Sequence, residues 1–346
     1  MERLNENPLL TPDDLKPTRE DLRVMCTLNP AATRFGDEII LLVRVGEEAP
    51  TEGNWLKYVR HNAESDELET GTIAKDDPHL EIRDARGYYL NGMMLLTSLS
   101  HLRVARSSDG RNFTFDPEPA IYPTTQFESY GCEDARITWL EGKFWIAYTA
   151  VSGRGVTVAL ASTTDFKTFD KHGLIFPPYQ KDVCIFPEKV RGQYVARHRP
   201  YKSEFNLASI WTAYSPDLNC WGHHDVTLEP SVDTWESERV GCGAPPIKTD
   251  DGWLEIYHAA DATGKYSLGA MLSDLDHPEK LLSRASQPVF SPETDYERKG
   301  VYGNCVFSNG LVVDEDGTMT VYYGAADRIC GGAVTSVEEM VRAAKS

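Results

Sequence analysis

Positive charge is scarce in this sequence of 346 residues: 35 lysines and arginines stand against 53 aspartates and glutamates, a formal net charge of -18. A surface so negative repels phosphate backbones and anionic lipid, so neither nucleic acid nor membrane is expected as a partner. Long apolar runs are missing as well. No stretch reaches the roughly 18 residues of a spanning helix, and Met1 to Leu22 is polar with no signal-like core. Paired cysteines are absent as a pattern: Cys26, Cys132, Cys184, Cys220, Cys242, Cys305 and Cys330 are odd in number, widely spaced and never form C-x-x-C. That argues against a disulfide framework or a zinc ribbon and for a reducing compartment, so a cytoplasmic protein is expected. The defining residues of a P-loop, a G-x-G-x-x-G turn and an H-E-x-x-H helix are also lacking, and no metal site is required.

What is present is a large apolar complement, 41% of the chain, punctuated by 26 glycines and 20 prolines. One pattern recurs: a glycine-containing turn followed by alternating β-branched and aromatic residues, the mark of a hairpin's second strand. It begins at Gly36, Gly142, Gly192, Gly252 and Gly317, with intervals of 50, 60 and 65 residues after Gly142 and a first interval of 106. A second pattern interleaves with it, a Ser or Thr followed by Asp and then an apolar residue, with aspartates at Asp109, Asp165, Asp217 and Asp274. A unit near 55 residues holding about four short strands has the size of a propeller blade. Five copies predict an all-β, five-bladed β-propeller. Helical periodicity is confined to the C-terminus, where Ser336 and Glu339 form a capping box ahead of the stripe Val337, Met340, Val341 and Ala344. A short C-terminal helix packed on the outside of a blade is expected. Residues 1–24 read as an N-terminal extension and 25–346 as a single propeller domain.

Inner strands of a propeller converge on a central channel, so polar residues at their ends meet in one concave site. Glu133-Asp134, with Arg136, opens the strand before Gly142; strand alternation sends the two acids to opposite faces, and one entering the channel is a natural general acid. An Asp–Arg ion pair at a blade edge is the competing reading. Lys181, Arg197, His198, Arg199 and His258 lie at strand ends in consecutive units, and superposed blades make of them an anion-sized positive pocket. Rim residues pairing with local acids are the alternative. Asp327 takes a like position after the fifth copy.

The segments LNPAA, GCEDARIT, KDVCIFPEKVRGQYVARHRP, GWLEIYHAAD and YYGAAD, in order from Leu28 to Asp327, resemble glycoside hydrolase family 130, the β-mannoside phosphorylases and mannosidases. The resemblance implies a five-bladed propeller that breaks a β-mannosidic bond with inversion. It implies Asp134 as the proton donor, Asp327 as a carboxylate holding hydroxyls of the −1 mannose, and Asn29, Arg44 and Arg106 as further sugar contacts. Lys181, Arg199 and His258 match the cluster that binds inorganic phosphate in the phosphorylases, with Arg136 in addition. The family motif usually reads E-D-P-R where this chain has Ala135, a change in backbone stiffness more than in chemistry. In the hydrolases of the family, glutamates that activate water would fall within ARHRP and at Gly241. Neither is present, and Glu204 and Glu238 are the nearby acids that keep hydrolysis open.

An inverting glycosidase needs an acid and a base, whereas phosphate is already an anionic nucleophile, so one carboxylic acid and a positive pocket suffice. The expected activity is therefore that of an inverting β-mannoside phosphorylase, a glycosyltransferase-type enzyme that turns a manno-oligosaccharide and inorganic phosphate into α-D-mannose 1-phosphate. No cofactor is expected, inorganic phosphate being a co-substrate, and a homo-oligomer is allowed. An inverting β-mannosidase and a non-catalytic carbohydrate-binding propeller are the rivals. Linkage and acceptor stay open. Partial burial and the neighbouring Glu133 are expected to raise the pKa of Asp134, with Arg136 opposing.

Overall fold

The computed structural model describes residues 1–84 and 87–346. Each glycine turn read from the sequence joins two antiparallel strands: Arg23–Phe35 to Glu38–Glu48, Gly131–Leu140 to Lys143–Ser152, Gln180–Ile185 to Tyr194–Pro200, Ile247–Thr249 to Gly252–Ala260, and Val306–Val313 to Thr318–Ala325. The recurring aspartates close the next turn in four of these units. Asp109, Asp165, Asp217 and Asp274 each accept two backbone N–H groups, two and three residues onward, at 2.8–2.9 Å. Such Asx turns need only local chemistry, which is why the pattern survives from unit to unit.

Two sheets, Gln180–Ile185 to Gly222–Leu228 and Val306–Val313 to Ile329–Ser336 with Glu2–Arg3, have four strands each. A third has five, built around Gly252–Ala260. The eight-stranded sheet is two four-stranded units joined by a single parallel bridge, Gly131 to Ser100. The doubled first interval comes from an insertion. Between Glu38–Glu48 and Ser98–Ser107 lie a hairpin, Trp55–Asn62 with Glu67–Ala74, and a small sheet of Leu80–Asp84, Gly87–Leu90 and Met93–Leu96.

Apolar clusters fill the gaps between successive units. Ile40, Leu42 and Val104 pack on Ile137, Ile146 and Tyr148, Val158 and Leu160 on Ile185 and Ala196, and Cys184 and Ile210 on Tyr257 and Met271. Leu254, Ile256 and Leu268 pack on Val321 and Tyr323, and Tyr322 and Cys330 return to Leu41 and Val43. The fifth cluster also takes in Leu4, Leu9 and Leu10. The start of the chain is paired as well as packed there: Glu2 pairs with Val334 and Arg3 with Ala333. The expected helix forms at Val337–Ala344, with Ser336 Oγ accepting from the Glu339 N–H at 3.1 Å and Met340 and Ala344 buried against the unit of Gly252–Ala260. A one-turn helix, Asp295–Arg298, and a 3-10 turn, Pro12–Asp14, had no clear periodic signal. None of the seven cysteines forms a disulfide, and of the seven only Cys220 is exposed. No helix among the described residues is long and apolar enough to cross a membrane.

Candidate active site

The first strands of three units share an irregularity. The ladder slips between Leu28 and Ala31, between Glu133 and Arg136, and between Lys181 and Cys184. At each slip an Asn or Asp takes a positive φ: Asn29 at 47°, Asp134 at 48° and Asp182 at 54°. Asn and Asp tolerate this left-handed conformation better than other side-chain-bearing residues, and a bulge re-aims the side chain it carries.

At the second slip the bulge cancels the strand alternation. Glu133 and Asp134 both reach one guanidinium, Arg44 donating from Nη2 to Glu133 Oε1 at 2.8 Å and from Nη1 to Asp134 Oδ1 at 3.2 Å. The expectation that the two acids face opposite ways is thereby corrected. Arg44 Nε also donates to Ser100 Oγ at 3.1 Å, and Asn29 Nδ2 to Asp134 Oδ1 at 2.9 Å. Asn29 fits because residue 324 has no side chain, a Cβ there standing 2.1 Å from Asn29 Oδ1. Asp327 lies near enough for its charge to act on Arg44. Asn29, Arg44 and Asp134 are thus joined by hydrogen bonds.

The electrostatics of the two acids differ from expectation. Burial pushes Asp134 up, but the charges of Arg44, Lys181 and Arg136 and the Asn29 hydrogen bond outweigh it and hold the carboxyl at about 2. Glu133 takes the opposite shift, raised by burial and by the charge of Asp134 against the pull of Arg44. In the free site Asp134 is the anion.

The cation cluster forms too, around a residue that sequence reading passed over. Asp182 is fully buried and accepts from Arg199 Nε at 2.5 Å and Arg136 Nη2 at 3.2 Å, with His258 Nε2 at 3.3 Å and Lys181 Nζ at 4.0 Å. Burial opposes its ionisation, yet the charges of Arg199, Lys181 and Arg136 hold it well below the carboxylate range. The four cations are not equivalent. Arg136 has lost its freedom, donating to the carbonyls of Asp134 and Cys242 at 2.9 Å and of Gly243 at 3.4 Å as well as to Asp182. His258 is fully buried against Phe307, ring centroids 4.0 Å apart, and burial pushes it down to about 4 despite Asp182, so it is neutral. Neither ring nitrogen of His258 has a hydrogen-bond partner among the described residues.

Lys181 and Arg199 do carry unused donors. Lys181 Nζ stands 3.7 Å from Asp134 Oδ2 and makes no hydrogen bond among the described residues. Arg199 uses Nε alone, and both terminal nitrogens lack a protein acceptor among the described residues. Tyr201, whose ring lies 6.0 Å from the Arg199 guanidinium, and Arg239, which donates to Tyr266 Oη at 3.0 Å, extend this wall and were missed in the sequence.

Other expected residues lie elsewhere. Arg106 pairs in register with Ile40, while Arg44 pairs with Leu102 four residues away on the same strand. Its guanidinium is held by Asp116 at 3.0 Å, Glu38 at 3.4 Å and the Phe166 carbonyl at 2.8 Å, which removes it from the sugar contacts. Arg197 is fully buried on Glu255, and His198 bonds to Gln180 and His224. Glu204 is exposed and Glu238 pairs with Lys202 at 3.0 Å. No group of three or more His, Cys, Asp or Glu among the described residues is arranged to hold a metal ion.

A buried acid beside paired sugar-type donors and an open cationic wall is the equipment of a carbohydrate-active enzyme. The family model for glycoside hydrolase family 130, described as beta-1,4-mannooligosaccharide phosphorylase, matches residues 79–346, and the chain belongs to that family. It is 39% identical over 344 residues to a beta-1,2-mannobiose phosphorylase of Listeria innocua, covering 98% of this chain and 97% of that protein. A 1,2-beta-oligomannan phosphorylase of a Thermoanaerobacter species is 40% identical over 70% of this chain and 80% of its own length. The crystal structure of the Listeria innocua beta-1,2-mannobiose phosphorylase in complex with beta-1,2-mannobiose superposes with a TM-score of 0.96, at 38% identity and 99% coverage of both chains.

Proposed function

We propose that the chain is an inverting phosphorylase of β-1,2-mannosides, splitting the bond with inorganic phosphate to release α-D-mannose 1-phosphate. The observation that carries this reading is the pair Lys181 and Arg199, two cations with unused donors beside the acid Asp134. The linkage follows the beta-1,2-mannobiose and 1,2-beta-oligomannan phosphorylases to which the chain is similar. The architecture we infer is a five-bladed propeller, supported by five apolar clusters that run cyclically between units and return to the first. Its family places the enzyme among glycoside hydrolase relatives, so the glycosyltransferase-type description is set aside.

In this mechanism Lys181 and Arg199 hold phosphate by charge-assisted hydrogen bonds on the face of the anomeric carbon opposite the leaving oxygen. A phosphate oxygen forms the new bond to that carbon as the glycosidic bond breaks, and Asp134 returns a proton to the departing oxygen, directly or through a mannose hydroxyl. Asp134 begins as an anion because Lys181 and Arg44 surround it. A phosphate dianion beside Lys181 offsets that positive field and lifts the pKa of Asp134 toward the protonated state. The proton count closes: Asp134 takes a proton from solvent as phosphate binds and gives it to the departing oxygen, and the proton of hydrogen phosphate returns to solvent from the product ester. No cofactor enters. Asn29 fixes the Asp134 carboxylate, and in this reading Asp327 receives mannose hydroxyls.

The test is β-1,2-mannobiose incubated with and without inorganic phosphate. Phosphate-dependent formation of α-D-mannose 1-phosphate, reversible from that ester plus mannose, is expected. Mannose release at the same rate without phosphate would refute the reading.

A further inference from the structure

The carboxylate of Asp182 lies where an anion-binding site should tolerate no anion. By charge alone it weakens the attraction of the pocket for phosphate, since like charges at short range repel in a low-dielectric interior. Its geometry gives the reason for its presence. The bulge between Lys181 and Cys184 turns Asp182 inward, and its Oδ2 takes the Arg199 Nε–H at 2.5 Å. A guanidinium held by Nε keeps both terminal nitrogens in a fixed plane, the fork that matches two oxygens of a phosphate. Behind Asp182, His258 Nε2 stands 3.3 Å away and is backed by Phe307 at 4.0 Å. Residue 241 carries no side chain, and a Cβ there would fall 2.8 Å from Asp182 Oδ2. The other oxygen, Oδ1, receives Arg136, which is tied to the carbonyls of Cys242 and Gly243. Asp182 is thus tied from behind by Arg136, with the His258 ring packed beside Oδ2, and accepts from Arg199 on the pocket side.

We propose that Asp182 is a positioning residue for the nucleophile, holding the Arg199 fork in the orientation that receives phosphate. The inference rests on the phosphorylase reading, and its sign separates it from a simple charge effect. Removing a negative charge from a cationic pocket tightens anion binding if only Coulomb attraction matters. Removing the support of Arg199 loosens it.

The experiment uses the full chain with β-1,2-mannobiose and inorganic phosphate, each varied in turn. Phosphate-independent turnover by the parent enzyme would overturn the function reading and leave the Asp182 geometry for a different anion. Given phosphate dependence, Asp182→Asn is expected to raise KM for phosphate about tenfold or more and KM for mannobiose by less than about twofold. A KM for phosphate that is unchanged or lower would overturn the proposal. Arg199→Ala and the double variant with Asp182→Asn should share one KM for phosphate, because Asp182 acts through Arg199; an additive loss would also overturn it. If Asp182→Asn fails to fold, Arg199→Lys decides: it keeps the charge and the partner but has one nitrogen in place of the fork. It should behave like Arg199→Ala toward phosphate, and parent-like phosphate kinetics in Arg199→Lys would sink the idea.

Discussion

Gly241 and His258 face each other across the ladder between Arg239–Gly241 and Gly252–Ala260, and a Cβ on residue 241 would stand 2.3 Å from His258 Nε2. The hydrolases of the family, by resemblance, carry a water-activating glutamate there. Introducing it here displaces both His258 and Asp182, so Gly241→Glu is expected to lose phosphorolysis and gain no hydrolysis. Overpacking of this kind costs typically about 1–3 kcal/mol before any buried charge is counted. Assay of mannose release in phosphate-free buffer checks it, and hydrolytic turnover would show that the site accommodates a base after all.

Asp134→Asn keeps the size and loses the proton. Turnover of unactivated β-mannosides should fall by at least about 10²-fold, the range of a lost general acid. Near-normal rates would remove Asp134 from that role.

The cations should separate by their free donors. Lys181→Ala and Arg199→Ala are each expected to raise KM for phosphate roughly tenfold to a hundredfold, with KM for mannobiose changed much less. Arg136→Ala should instead lower thermal stability, since three buried carbonyls lose this donor and Asp182 keeps only Arg199 as a hydrogen-bond donor among the described residues. Melting curves beside initial-rate kinetics distinguish the two classes, and an Arg136 variant with parent stability and weakened phosphate binding would reverse the assignment.

Much of this site was legible because its determinants repeat locally. Turn glycines and Asx aspartates need only their immediate neighbours, and Asp134 stands out beside Glu133 in a short acidic motif. Asp182 was hidden because its partners, Arg136, Arg199 and His258, come from three different units. A signal for it did exist: Asn29, Asp134 and Asp182 lie seven, eight and ten residues before the turn glycines Gly36, Gly142 and Gly192. Alternation failed at Glu133 and Asp134 because a bulge, which no periodicity reveals, inserts an extra residue there. Arg106 was misplaced for a plainer reason. A residue's position along its strand depends on ladder register, and four residues carry it from the Arg44 cluster to Asp116 and Glu38.

Three buried histidines set a pH dependence of stability. Burial lowers His101 against Glu47, lowers His258 to about 4 against Asp182, and with His224 lowers His198 to about 3. An unfolded histidine titrates near 6.5, so as pH falls below that value the unfolded chain takes up protons that the folded one refuses. Stability is full above about pH 6.5 and declines toward pH 4 by up to about 1.4 kcal/mol per pH unit for each of His198 and His258, with His101 acting in the same direction. Glu133 and Glu236, both raised by burial, act in the opposite direction. Urea unfolding of His198→Asn from pH 7 to pH 4.5 isolates one contribution: a flatter profile than the parent is expected, and an identical slope would contradict it.

Arg3 donates to Glu297 from Nε at 2.8 Å and from Nη2 at 2.9 Å, and the Glu297 side chain is fully buried. Arg3→Ala leaves that carboxylate with Tyr323 and two backbone N–H groups only. A loss of about 2–3 kcal/mol is expected from hydrogen bonds to a charged group. Denaturant midpoints check this, and an unchanged midpoint would show the clasp to be redundant.

The pairing of Glu2 with Val334 joins two strands more than 300 residues apart in the chain. Until Ile329–Ser336 has been synthesised, the sheet that receives Glu2–Arg3 does not exist, and the segment bearing Leu4, Leu9 and Leu10 has no groove to enter. The intermediate units can pair their own hairpins as they emerge, but each offers an apolar flank to a neighbour not yet made. Pairing of Glu2–Arg3 is therefore the late, long-range event, and a protease that cuts near Leu9 should find its substrate before Ile329–Ser336 is in place and lose it afterwards.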